Sequence, residues 1–283
     1  MELWRGVDRQ KGRNDGVKMR GEPRERQPSP SAAAPNRCLV GCAGWTLPRD
    51  VQPAFSAEGT HLQRYAARFP AVEINSSFHR PHRVATWARW AESAPPGFRF
   101  CAKLPKTLTH ERRLVDADEA LATFLGEAGG LGGALACLLV QLPPSLQFDA
   151  AAADDFFASL RARTTVAAVC EPRHPTWFSG DADEVLARWK VARVAADPAR
   201  VPQAAEPGGW RGLAYYRLHG SPRIYYSAYD ADYLDALAAR IRVDLDAGRE
   251  TWCIFDNTAA GAATQNALDL MARLDGAARE EDG

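Results

Sequence analysis

Eight short apolar runs recur along this chain, separated by amphipathic stretches, and that alternation limits its fold more than any other feature. The runs are Cys38–Cys42, Ala71–Asn75, Phe98–Lys103, Leu135–Gln141, Val166–Glu171, Ala192–Asp197, Leu213–His219 and Trp252–Asp256. Each is short and almost continuously apolar, as a parallel strand covered on both faces must be. Helix-like periodicity follows at Glu58–Phe69, Arg83–Ser93, Asp116–Glu127, Ala150–Arg163, Asp181–Trp189, Tyr233–Ala247 and Thr264–Leu274. Only the sixth connection, Pro198–Arg211, is irregular, broken by three prolines and the pair Gly208-Gly209. Strict strand-then-helix alternation with eight strands predicts an α/β fold, a single-domain (β/α)8 TIM barrel over residues 37–274. An open doubly wound sheet is the competing arrangement. Eight regular repeats favour closure, and no G-x-G-x-x-G follows a strand.

The flanks differ in composition. Residues 1–36 are rich in Arg, Gly, Pro, Ser and Ala without apolar periodicity, so a disordered basic leader is expected, with Met19 a second possible start. Residues 275–283 read as a flexible acidic tail. Formal net charge is zero, but residues 1–37 hold nine Lys or Arg against five Asp or Glu, leaving the remainder four charges acidic. Such a barrel carries no footprint that demands nucleic acid, although a local basic patch leaves that partner open. No apolar run reaches the roughly 18 residues of a membrane span, and the N-terminus lacks the apolar core of a secretory signal. The six cysteines, Cys38, Cys42, Cys101, Cys137, Cys170 and Cys253, sit in apolar runs with no C-x-x-C pair. They read as reduced small hydrophobes, so a cytoplasmic location is expected and no metal site.

Catalytic groups of such a barrel gather at the carboxyl ends of the strands. Those ends carry Glu73 and Asn75, Lys103, Gln141, Glu171, Asp197, Arg217 and His219, and Asp256 with Asn257. Strand alternation puts Glu73 and Asn75 on one face with Ile74 opposite, and Arg217 and His219 on one face with Leu218 opposite. The apolar members suit packing on helices, so the polar members face the axis. Glu73, Lys103, Glu171, Asp197 and His219 are the candidate catalytic residues. Trp45, Asn75, His110, Gln141, Arg173, His174, Trp177, Arg217, Asp256 and Asn257 are candidate ligand-binding residues. Buried charges cost several kcal/mol each unless paired, so the bland alternative is a satisfied salt-bridge network that fills the barrel.

The following loops add Gly41-Cys42-Ala43-Gly44-Trp45, whose glycines suit close approach to a ligand. They also add Thr109-His110 and Glu171-Pro172-Arg173-His174-Pro175-Thr176-Trp177, and Tyr225, Tyr226 and Tyr229 after the seventh strand. The aromatic residues suit stacking on a sugar or base; taken singly, each is more often a loop-packing residue.

Taken in order, Gly41–Trp45, Val72–Phe78, Lys103 with Pro105, Thr109-His110, Gln141–Pro144, Glu171–His174 with Trp177, Arg217–Gly220 and Asp256–Thr258 resemble the YecE-like family, domain of unknown function 72. The resemblance implies a TIM barrel and no established reaction. His79, where a Tyr is expected, and Asp256, where an Asn is expected, depart from the pattern.

Three functions fit these residues. The first is an enzyme using acid/base chemistry on a small polar ligand such as a sugar or phosphorylated sugar. In it Glu73 and Glu171 flank the ligand, one carboxyl has a raised pKa, and His219 or His174 carries the proton. The second is a metal-dependent phosphoesterase or isomerase resembling the endonuclease-four and xylose-isomerase barrels, with Glu73, Glu171, His174, Asp197 and His219 as ligands. Lys103 and Arg217 compete with a cation there. The third is a non-catalytic ligand-binding barrel. Sequence leaves the cofactor and the oligomeric state unknown.

Overall fold

The structure is a computed structural model that describes residues 37–280, with side chains to residue 276; the expected leader over 1–36 lies outside the described residues. The first strands are β1 (Leu39–Cys42), β2 (Ala71–Ile74), β3 (Arg99–Lys103), β4 (Leu135–Gln141) and β5 (Ala167–Glu171). β6 (Val191–Arg193) and β7 (Ala195–Asp197) are the two halves of the sixth barrel strand. β8 (Gly208–Gly209) is a short return, and β9 (Leu213–Leu218) and β10 (Glu250–Phe255) are the seventh and eighth barrel strands.

The barrel strands pair in parallel as β2-β3-β4-β5-β6 and as β7-β9-β10-β1, the circular order of a (β/α)8 barrel. Two seams join these ladders. At the second, the chain changes partners in mid-strand. Val194 N–H still donates to Cys170 O on β5 at 2.9 Å, whereas Ala195 and Ala196 pair with Tyr216 and Arg217 of β9. β8 runs antiparallel to β6, Gly209 opposite Ala192. Arg193 clamps this connection, donating to Asp183 Oδ1 at 2.9 Å and to Gln203 O at 2.9 Å.

At the first seam, β1 and β2 share only the Ala43–Glu73 bridge. The Tyr65 hydroxyl supplies what the ladder lacks. It accepts from Cys42 N–H at 2.8 Å and donates to Ala71 O at 3.0 Å. The strands also approach closely: a Cβ on Gly41 would lie 2.2 Å from Ala71 O. That glycine therefore serves strand closure and not, as its motif suggests, close approach to a ligand.

Among the described residues seven α-helices cover the barrel: α1 (His61–Ala66), α2 (Val84–Ser93), α3 (Asp118–Ala128), α4 (Ala150–Arg163), α5 (Gly180–Arg188), α6 (Ala231–Asp246) and α7 (Ala262–Glu280). The proline-rich sixth connection forms a 3-10 turn over Pro202–Ala205 and the short return β8 in place of an α-helix. Starts are set by side chains: Thr60 and Gln63 form a capping box on α1, and Asp149, Ser179 and Asp230 cap α4, α5 and α6. Each such cap contributes about 1 kcal/mol. α7 continues past Leu274, where apolar periodicity ends. No helix among the described residues is long and apolar enough to cross a membrane.

The period-2 pattern separates two cores. Ile74, Val140, Cys170, Leu218 and Phe255 face outward against helix residues such as Trp87, Phe157 and Ile241. Ala71, Cys101, Cys137, Leu139, Val169, Ala192, Tyr215, Trp252 and Ile254 fill the axis. Small residues on β2 to β6 leave room for the Tyr215 and Trp252 rings, stacked with centroids 5.9 Å apart. All six cysteines are buried free thiols.

Tyr65→Phe tests the seam. It strands a buried N–H and a buried carbonyl, so we expect a loss of about 1–3 kcal/mol in urea unfolding with the circular-dichroism spectrum unchanged. An unaltered unfolding midpoint would show that the hydroxyl does not close the barrel.

Candidate functional site

Above the apolar axis, at the carboxyl ends of the strands, lies a ring of buried charge centred on Arg217, which is fully enclosed. Its guanidinium grips Glu73 through two bonds, Nη2 to Oε1 at 2.8 Å and Nε to Oε2 at 3.0 Å. Nη1 donates to Glu171 Oε2 at 3.0 Å, and Nη2 lies 3.0 Å from Asp256 Oδ2. One cation thus holds three carboxylates from β2, β5 and the end of β10. Such fork geometry is what makes guanidinium suited to the task.

The other lone pairs are filled too. Tyr215 OH donates to Glu73 Oε2 at 3.0 Å, and Gln141 Nε2 donates to Glu171 Oε2 at 2.9 Å. His219 places Nε2 2.8 Å from Glu171 Oε1 and Nδ1 2.9 Å from Asp256 Oδ2. An ionised carboxylate only accepts, so both ring nitrogens carry protons and His219 is an imidazolium. Burial alone would lower its pKa, but the charge of Glu171 and the Asp256 hydrogen bond outweigh burial and raise it above the ordinary 6.5. Arg173 adds a fourth contact to Glu171 at 3.3 Å.

These contacts correct the expected acid/base role of Glu171. Burial would raise its pKa, but Arg217 and His219 override it and hold the carboxyl well below the ordinary 4.5. Glu171 is permanently ionised and cannot serve as a general acid near neutral pH. Asp256 is likewise lowered, burial being outweighed by Arg217 and His219. Arg217 also fills the centre that the carboxylates of a metal site would share, so the donor set does not fit a metal-dependent phosphoesterase or isomerase.

Lys103 differs from the other cations. It is 5% exposed, yet among the described residues no carboxylate lies within ion-pair distance of its ammonium. The Nζ sits 4.1 Å from the centroid of the Phe78 ring. Burial and the like charge of Arg217 lower its pKa, only partly offset by Glu73, Glu171 and Asp256, leaving it at about 8. The strand ends carrying it are joined by Ser77, whose single hydroxyl proton is shared between Lys103 O at 2.7 Å and Ile74 O at 2.9 Å. His110, on a π-type turn over Thr107–Glu111, lies edge-on to Phe78 at 4.9 Å. Burial, Lys103 and Arg173 lower its pKa, so its ring is neutral. Four cationic groups (Arg217, His219, Arg173, Lys103) therefore face three carboxylates, and the mouth has one positive charge in surplus.

Glu73, Gln141, Glu171, Arg173, Arg217, His219 and Asp256 thus meet in one network, with Lys103 and His110 beside it. Asn75 is half-buried at the rim, its Oδ1 enclosed without a partner. Trp45 stands at the rim against Trp90, centroids 5.2 Å apart. The remaining candidates do not join. Asp197 pairs with Leu218 in register, so Ala196 and not Asp197 points to the axis. Its carboxylate accepts from Tyr229 OH at 2.8 Å instead. Asn257 follows Asp256 and faces away for the same reason, donating to Ser227 O and Asn266 Oδ1 at 3.0 Å each. Trp177 is core: 1% exposed, its indole N–H donates to Leu146 O at 3.0 Å. His174 caps a turn, accepting from Thr176 N–H at 3.3 Å. Tyr215 was missed; its spacing of two from Arg217 was the available signal.

The chain matches a family model described as a protein of unknown function, DUF72, over residues 39–282. It is 29% identical to the UPF0759 protein YecE of Escherichia coli K12 over 151 residues, 53% of either chain. It is 28% identical to the UPF0759 protein YunF of Bacillus subtilis over 111 residues, 37% of this chain and 39% of that one. The chain spans about half the length of the first relative and less of the second. Two solved structures share the fold. A DUF72 family protein of Enterococcus faecalis superposes with TM-score 0.70 at 17% identity, covering 84% of this chain and 96% of that one. One from Thermotoga maritima gives TM-score 0.69 at 22% identity, covering 84% and 100%.

Two stability measurements follow from the ring. Glu171→Gln leaves Arg217 and His219 short of an anion and should cost about 3–5 kcal/mol, whereas Lys103→Met removes an unpaired buried charge and should cost nothing. Equal losses in denaturant unfolding would contradict the division. The second is pH dependence. A raised histidine pKa means its stabilisation is whole below 6.5 and lost as pH rises through the folded value. The stability gap between wild type and His219→Gln should therefore be constant below the ordinary histidine value of 6.5 and narrow as pH rises above it. A gap that widens with pH would mean a neutral imidazole.

Proposed function

This chain belongs to DUF72, a family without an established reaction, and from its site we propose an enzyme acting by acid/base chemistry on a small anionic ligand such as a phosphorylated sugar. The observation that carries this reading is Lys103, a buried amine at about 8 beside carboxylates that Arg217 and His219 already neutralise. Glu73, Glu171 and Asp256 hold the scaffold of charge, and Lys103 is the group able to give and take a proton near neutral pH. The surplus positive charge at the mouth suits a phosphate or carboxylate, with Arg173 and the neutral His110 at its edge. Asn75 supplies an acceptor for a ligand hydroxyl. Six buried thiols support a reducing, cytoplasmic setting.

A thermal-shift panel of phosphorylated sugars, their neutral parents and simple carboxylates tests the proposal. We expect stabilisation by phosphorylated compounds, reduced at least tenfold in affinity by Lys103→Met, with turnover of the binding compound. Binding without turnover would leave a ligand-binding barrel; preference for the neutral parents would refute the charge argument.

A further inference from the structure

The buried cations of the ring are not used alike. Arg217, His219 and Arg173 each have a carboxylate within 3.3 Å. Lys103 has none among the described residues, and its ammonium rests on the Phe78 ring. A lysine kept as a permanent anchor for an anion is normally held charged by carboxylates; here those carboxylates are spent on Arg217. Guanidinium and amine share one small volume, and an amine can shed its proton to relieve that repulsion while the guanidinium cannot.

Its surroundings also fit a carbonyl compound. β2 and β3 pair Ile74 with Ala102, so Asn75 and Lys103 leave adjoining strands at the same level. Asn75 Oδ1 is enclosed there without a donor, an acceptor waiting for a hydroxyl. A ligand with a hydroxyl next to its reacting carbon would satisfy it, and its phosphate would meet the partly exposed guanidinium of Arg173.

We propose that Lys103 forms an imine with a phosphorylated α-hydroxy aldehyde or ketone, which deepens the proposed function and rests on it. The neutral amine nitrogen adds to the carbonyl carbon, a proton passing from nitrogen to oxygen. The carbinolamine then loses that oxygen as water, so both amine hydrogens leave with it and a C=N bond replaces C=O. No electrons are exchanged. Near pH 7 roughly a tenth of an amine titrating at about 8 is neutral, enough for attack.

The test uses the full chain with glyceraldehyde 3-phosphate or dihydroxyacetone phosphate, plus sodium cyanoborohydride to reduce any imine to a stable secondary amine. Intact mass and peptide mapping locate the adduct. We expect one adduct per chain on Lys103, formed at least tenfold faster than on Lys106 or Lys190, which are exposed. Lys103→Arg should abolish it. Adduct spread evenly over Lys106 and Lys190, or none on Lys103 at saturating probe, would overturn the imine. The same compounds are tested by thermal shift without the reductant. Binding without adduct sinks the imine alone; neither binding nor adduct sinks the proposed function with it.

Discussion

Arg217 sits at the top of the barrel axis, out of contact with water, and its guanidinium reaches Glu73, Glu171 and Asp256 at once. Those carboxylates come from strands two, five and eight, so a single side chain ties opposite walls of the barrel together. Each of these ions would cost several kcal/mol if buried alone. Together, with Tyr215, Gln141 and His219 filling the remaining lone pairs, they leave no uncompensated charge except at Lys103. The ionisation of Glu171 follows from where that guanidinium lies, and so does part of the lowering of the Lys103 amine beyond what burial does; His219 is kept protonated by Glu171 and Asp256 against the repulsion of Arg217.

Holding it there requires the strand ends to be registered to within a fraction of an ångström, and the sheet is not continuous. Hydrogen bonding between strands lapses twice. Tyr65 bridges one lapse from the helical layer, and the sixth strand bridges the other by changing neighbours at Val194. Both devices lie beside strands that carry ring members: Glu73 on β2, and Arg217 opposite Ala196. Ser77 performs the same service for β2 and β3 at the level of Lys103.

The division between the scaffold and the reactive group is chemical. Carboxylates and imidazole, the usual proton carriers of enzymes, are locked here by strong partners: Glu171 and Asp256 are held below the ordinary carboxylate range and His219 above the ordinary imidazole value. Lys103 is left partly charged, poorly solvated and next to an unfilled acceptor on Asn75. A site built this way keeps its stability in the ring and its chemistry at the edge, so that the two can be altered separately.

Periodicity by itself determined the barrel and much of the ring. Eight apolar runs with polar ends are legible without coordinates, and counting by two from Glu73 or Arg217 sorts Ile74 and Leu218 outward and the charges inward. The same count, applied strictly, would have rejected Asn257 and added Tyr215. Being at the end of a strand is a weaker rule than parity. Asp197 could not be settled that way, because it shares its face with Arg193, and a rule that sends polar residues inward sends both to the axis. The structure instead turns Ala192, Val194 and Ala196 inward and Arg193 outward to Asp183 of α5, a partner that the local sequence does not reveal. Nor could charge state be read locally. Sequence leaves either Glu73 or Glu171 free to have a raised pKa, but Arg217 and His219, brought from 46 and 48 residues away, lower that of Glu171 instead. Residue type and spacing decide which groups reach the axis; only the tertiary structure decides which of them touch, and at these distances the partner outweighs the burial.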